Sequence, residues 1–162
     1  MTEDQGAEPA GKHPAARLRA VVVALAAVAA LASGCATPEG DPSLYRDEAV
    51  STLQAAQSSA ETVLITLHLR LRDRTFGRAA DDAVSGAESS LTSTAGTFEA
   101  LQPPRGADAV RDAATMLLSS AEDAVAAARI AIRRDDRTAM RQARDGLGTA
   151  VDKLEHAPDT LP

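Results

Sequence analysis

From residue 43 onward the apolar side chains return every three or four positions, and alanine dominates them. That period is helical, and alanine combines the best intrinsic helicity with a small buried area. A chain of this kind has to bring several helices close together, because no single helix pair buries enough to be stable. Aromatic residues do little to help: Tyr45, Phe76 and Phe98 are the whole set, and there is no Trp. The one cysteine cannot form an intramolecular disulfide, so packing alone must hold the fold.

Four segments carry the pattern. The first, 43–72, places Ala49, Leu53, Ala56, Ala60, Val63, Leu64, Leu67 and Leu71 on one stripe, with Asp41 as N-cap and Pro42 at the first helical position. The second, 78–101, does the same with Ala80, Val84, Ala87, Leu91, Ala95, Phe98 and Leu101, and Pro103 and Pro104 end it. The third, 107–134, reads inward at Val110, Ala114, Leu117, Ala121, Ala124, Ala128 and Ala131, with Val125 and Ile132 alongside. The fourth, 137–157, comes after Asp135 and Asp136 and uses Met140, Ala143, Leu147, Ala150, Val151 and Leu154 before Pro158 stops it. Short connections make an all-α, antiparallel up-down-up-down four-helix bundle over 43–162 the economical architecture.

Two details resist this pattern. The stretch ITLHLRLR at 65–72 alternates like a strand, but no second alternating segment exists to pair with it. It is therefore assigned to the first helix. Gly146 and Gly148 in the fourth helix each cost about 1 kcal/mol relative to alanine, which suggests either close approach to a neighbour or fraying.

The first 34 residues are of another kind. Lys12, Arg17 and Arg19 precede an uncharged run from Ala20 to Ala32. As a helix, thirteen residues reach roughly 20 Å, short of the roughly 30 Å hydrocarbon core, so the run suits a signal peptide better than a membrane span. Leu31-Ala32-Ser33-Gly34-Cys35 closes it and resembles the lipobox of bacterial lipoproteins, with Leu four residues before the cysteine instead of three. The resemblance implies cleavage between Gly34 and Cys35 and lipidation of the Cys35 thiol. It makes the membrane a partner through that lipid and places the protein on the outer face of the cytoplasmic membrane. Residues 1–34 are then a signal peptide, and 35–42 a lipidated tether whose last seven residues reach at most about 25 Å. Arg outnumbers Lys fifteen to two. In this and its alanine-rich helices the chain resembles small helical lipoproteins of high-GC Gram-positive bacteria, a resemblance that brings no activity with it.

Little in the chain points to catalysis. The net charge of −6 argues against nucleic acid, whose phosphates demand a basic surface. Neither His68 nor His156 has a Glu three residues before it, as a di-metal bundle requires, and both read as solvated. Met116 and Met140 read as core filling and not as haem ligands. No phosphate loop, nucleophile elbow or HExxH is present. The expectation is a non-enzymatic interaction module without cofactor or metal. The alternative is a small-ligand carrier or sensor with a cavity between its helices.

Charge and topology suggest where a partner would bind. In a bundle tethered at Cys35, the 1–2 and 3–4 loops lie at the far end. That end gathers Arg70, Arg72, Arg74, Arg78, Arg133, Arg134, Arg137 and Arg141 against Asp73, Asp81, Asp82, Asp135 and Asp136. The near end is acidic: Glu39, Asp41, Asp47, Glu48, Glu99, Asp108, Asp112, Asp152, Glu155 and Asp159 outnumber Arg46, Arg105, Arg111 and Lys153. Ile65, Leu69 and Ile130 fall off the core stripes in the far half. With the arginines they form a candidate surface for an envelope protein or an anionic polymer. The competing explanation is structural: arginines in the last turns of helices 1 and 3 complement the helix dipoles, and the aspartates cap the next helices.

Overall fold

Asp41 caps the first helix as the sequence suggests. Its carboxylate accepts the Ser43 N–H at 2.9 Å and the Ser43 hydroxyl at 2.8 Å, and Pro42 takes the first helical position. The Ser43 hydroxyl first, and then its N–H, hold the Asp41 carboxyl below the usual carboxylate range. The computed structural model describes residues 40–162, and every regular element among them is an α-helix: α1 (Pro42–Leu71), α2 (Gly77–Glu99), α3 (Asp108–Arg133), α4 (Arg137–Glu155) and the single turn α5 (Ala157–Thr160). The readings placed on Gly34, Cys35 and the rest of 1–39 lie outside the described residues. Among those described, no helix is long and apolar enough to cross a membrane.

Each helix packs on the next, and α1 closes the ring by packing on α4, so the four long helices form the expected bundle. α1 and α3 also touch across the diagonal, whereas α2 and α4 do not. Fully buried alanines account for this approach: Ala49, Ala56 and Ala60 on α1 and Ala114, Ala121 and Ala128 on α3 present one methyl group each. Around them Leu53, Leu67, Val84, Leu91, Phe98, Leu118, Met140, Leu147 and Leu154 fill the interior. The strand-like ITLHLRLR forms the last two turns of α1, except for Arg72, which caps it. Of its hydroxyls, buried Thr66 donates back to the Thr62 carbonyl at 2.8 Å, and two turns earlier Ser59 does the same to Ala55.

Three expectations need correction. In α3 the inward residue is Leu118, 1 % exposed, and not Leu117, which packs only partly against the core; Val125 likewise replaces Ala124. Adjacent positions differ by about 100° around a helix, so this helix offers two apolar stripes. The chosen stripe buries Leu118, Val125 and Ile132, the larger side chains. Met116 is 71 % exposed instead of filling the core, a consequence of the same rotation. Gly146 and Gly148 neither admit a neighbour nor break α4, since a Cβ at either position would meet nothing within 4 Å.

The end at which the chain enters is closed by apolar groups. The Tyr45 ring lies 5.5 Å from that of Phe98, tilted by 37°, and burial pushes the Tyr45 phenol above its ordinary value. α5 folds back onto α1 and α4, burying Ala157 and Leu161. Arg46 Nη2 donates to the Pro158 carbonyl at 2.9 Å, and Gly40 sits so close to Pro104 that a Cβ there would lie 3.6 Å from the proline Cβ. Chain entry, the α2–α3 loop and the C-terminus therefore share one end.

Candidate functional site

At the opposite, distal end α1 and α3 stop in the same way. After α1, the Asp73 N–H bonds the Arg70 carbonyl at 3.1 Å and the Arg74 N–H bonds that of Leu69 at 2.9 Å. After α3, Asp135 reaches Ile132 at 3.0 Å and Asp136 reaches Ala131 at 3.1 Å. Both are Schellman endings, which place their C′ residue in the left-handed region and usually carry glycine there. Here each carries aspartate, Asp73 at φ 54° and Asp135 at φ 51°.

The two aspartates are used in a crossed pair of ion contacts. Arg70, at the end of α1, bonds Asp135 after α3, and also lies 3.6 Å from Asp73. Arg137, opening α4, contacts Asp73 at 2.9 Å and donates to the Leu71 carbonyl. Glycine at either turn would remove the strain but supply no carboxylate. Asp136 is occupied too, accepting the Thr138 and Ala139 N–H groups at 2.9 and 3.0 Å as the cap of α4.

The contacts divide the far-end arginines into two sets. Arg70 and Arg137 clasp the two loops together, and Arg133 stands 3.9 Å from Asp81, in reach of its charge but beyond a hydrogen bond. Arg72, Arg74, Arg78, Arg134 and Arg141 make no ion pair with any described residue. The clasp and the α4 cap together occupy Asp73, Asp135 and Asp136, three of the five distal acids, and leave guanidiniums in excess. Phe76 stands among them in the α1–α2 loop, 86 % exposed; it belongs to no helical stripe, so the periodicity gives no hint of it.

Ile65, Leu69 and Ile130 are exposed, but the fold does not bring them together. Ile130 opens onto a groove of about 410 Å³ between α3 and α4, lined by Ala124, Ala127, Ala139 and Gly146, whereas Ile65 and Leu69 lie on α1 across the bundle. The arginine contacts yield a more defined feature. Arg70, Gly77, Arg78, Asp81, Arg133 and Asp135 line a cleft of about 430 Å³ between the end of α1, the start of α2 and the end of α3.

The histidines stand apart from this cleft. His68 is exposed and lines an α1–α4 groove with Arg144 and Asp152. His156 caps α4 at the entry end, its Nδ1 2.7 Å from the Asp152 carbonyl, a bond that raises its pKa above 6.5 with help from Glu155, Asp152 and Asp159. Among the described residues no group of three or more His, Cys, Asp or Glu side chains is placed to hold a metal. Comparison with known proteins gave no match to a family model, a curated protein or a solved structure.

Proposed function

We propose that the chain is an extracytoplasmic lipoprotein, held on the outer face of the cytoplasmic membrane by acyl chains on Cys35, whose bundle is a non-enzymatic interaction module working through its distal end. The observation that carries the anchor is LASGC at 31–35 directly behind a short uncharged run. Each buried methylene of a lipid contributes about 0.8 kcal/mol, so two or three chains hold a protein stably. The path of the chain supports the orientation. Gly40 packs by the α2–α3 loop, and the five residue-to-residue steps from Cys35 to Gly40 span at most about 18 Å. The entry end would then face lipid, and the free guanidiniums would point away from it.

The experiment is intact mass of the membrane-fraction protein from a bacterium that processes lipoproteins. The expected mass begins at Cys35 and includes a diacylglyceryl group, and Cys35→Ala leaves an uncleaved, lipid-free precursor. A wild-type chain beginning at Met1, or normal processing of the variant, would overturn the anchor. The alanine-lined α3–α4 groove favours a second reading, an apolar-ligand carrier, for which native mass spectrometry should find a co-purified lipid.

A further inference from the structure

The bundle leaves one face of α1 unpartnered, and the chemistry of that face is ordered along its length. At about 100° per residue, Leu44, Asp47, Ser51, Thr62, Ile65 and Leu69 all fall within about 40° of Ser58, and all are exposed. The stripe begins with Leu44 and the acid Asp47 and continues with small side chains. Its second half carries Ile65 and Leu69, followed by Arg72 and by the loop of Phe76, which the Arg74 N–H ties back to the Leu69 carbonyl. In the middle, the Ser58 hydroxyl donates to the Gln54 carbonyl at 3.2 Å and the Thr62 hydroxyl to that of Ser58 at 2.9 Å. Their polar groups are satisfied within the helix, so both side chains can lie against apolar ones. Ala83 and Gly86 of α2 border the same stretch, and neither is large enough to bar a second helix.

A stripe ordered in this way is complementary to its own reverse. Asp47 and Arg72 make no ion pair with any described residue. A two-fold axis level with Ala60 sets Asp47 of one copy opposite Arg72 of the other, Ser51 opposite Leu69, Ala55 opposite Ile65 and Ser58 opposite Thr62, each contact being made twice. Leu44 then comes opposite the loop that carries Phe76. Large exposed side chains meet small or apolar ones, and the free charges meet their opposites. A parallel pairing would set Asp47 against Asp47 and Arg72 against Arg72. Glu61, at the edge of the stripe and close to the axis, is set near its own copy, with Gln57 donating to it at 2.8 Å.

We infer that the chain pairs with a second copy of itself across α1, antiparallel and two-fold. This makes the second copy a partner of the distal end and so rests on that end being a working surface, but not on the lipid at Cys35. An upright anchored chain is then the unpaired form; pairing lays both bundles along the membrane, within the roughly 18 Å reach from Cys35 to Gly40. The test is sedimentation equilibrium of the full chain in density-matched neutral detergent, from about 1 µM to about 300 µM. Circular dichroism confirms the fold of each variant. A patch on one helix lies at the small end of stable interfaces, so a monomer–dimer equilibrium in the micromolar range is expected, weakening with salt.

Charge reversal provides the sharper test. Asp47→Arg and Arg72→Asp each turn two attractions into repulsions and should weaken the dimer at least about tenfold, and the double variant should recover it. Ile65→Ser should weaken it without lowering the melting temperature, because Ile65 stands outside the core. Glu61→Gln should strengthen it, and Met116→Ser, exposed on α3, should change nothing. A monomer at every concentration would overturn the pairing and leave the distal end to another partner. A dimer indifferent to all the α1 substitutions would overturn it too, and a double variant that does not recover would overturn the antiparallel register. Growth beyond the dimer would replace the two-fold by an open head-to-tail contact. A dimer sensitive to Ile65→Ser but not to Arg72→Asp would remove the distal end from the contact and overturn the register. Pairing by a chain whose mass shows no lipid would refute the anchor and leave the pairing standing.

Discussion

The two ends of the bundle are closed by different chemistry. At the entry end Tyr45 and Phe98 stack, Ala107 and Leu154 are buried, and α5 lays Ala157 and Leu161 over the opening. At the distal end Arg70, Asp73, Asp135 and Arg137 tie two helix-ending turns across each other. An apolar seal is non-directional and nearly indifferent to ionic strength. An ionic clasp needs charges of both signs, weakens with salt, and leaves unmatched whatever one sign has in excess. The excess at the distal end is guanidinium, whereas the entry end is sealed without drawing on its charges.

The largest perturbation should come from the apolar seal. Phe98→Ala should lower stability by about 3–5 kcal/mol, and by the same amount at low salt and at about 1 M, where the screening length is about 3 Å. Urea denaturation at both salts measures this; a loss below about 1 kcal/mol would show that the ring does not hold the entry end. The clasp should respond less and differently. Arg137→Ala removes a half-exposed ion pair and a bond to the Leu71 carbonyl, together about 1 kcal/mol at low salt. That difference should shrink at about 1 M. If it does not, the clasp is held by packing and the contrast between the two ends fails.

How far these ends were legible in the sequence depends on how local each signal is. Asp41 and Asp136 were legible as caps because a cap is a contact within three residues. The four helices were legible because each repeats its period over five or more turns. The rotation of α3 was not: Leu117 and Leu118, and Ala124 and Val125, are adjacent apolar pairs, and only the facing helices choose between them. In the candidate site, the concentration of arginines was readable, but their division into clasp and free set depends on Asp73 and Asp135 adopting positive φ and meeting partners more than sixty residues away. Phe76 and Asp81 gave no periodic signal.

Asp73→Gly sharpens the comparison by setting strain against charge. Glycine adopts the left-handed region freely, which relieves on the order of 1 kcal/mol. It also deletes an exposed carboxylate whose pairing contributes about 0.2–1 kcal/mol. The two should nearly cancel at low salt. At about 1 M the pairing is screened and the strain is not, so the variant should become more stable than the parent by about 0.5–1 kcal/mol. Thermal melts at the two salts would show this crossing; a variant less stable at both would mean that Asp73 is not strained.

The smallest effect belongs to the entry end and is read with pH instead of salt. His156 is fully exposed, and its bond to the Asp152 carbonyl raises its folded pKa above the unfolded value of 6.5. A histidine shifted upward stabilises the fold fully below about 6.5, and that contribution fades as pH rises through the folded value. The melting temperature should therefore fall slightly between about pH 6 and 8 in the parent, while His156→Gln, whose side chain does not titrate, should lack that decline. Parallel curves for the two proteins would show that the charged imidazole does not support the end of α4. A decline confined to the parent would show that the apolar seal carries one ionic contact of its own, local to its last helical turn and separate from the distal clasp.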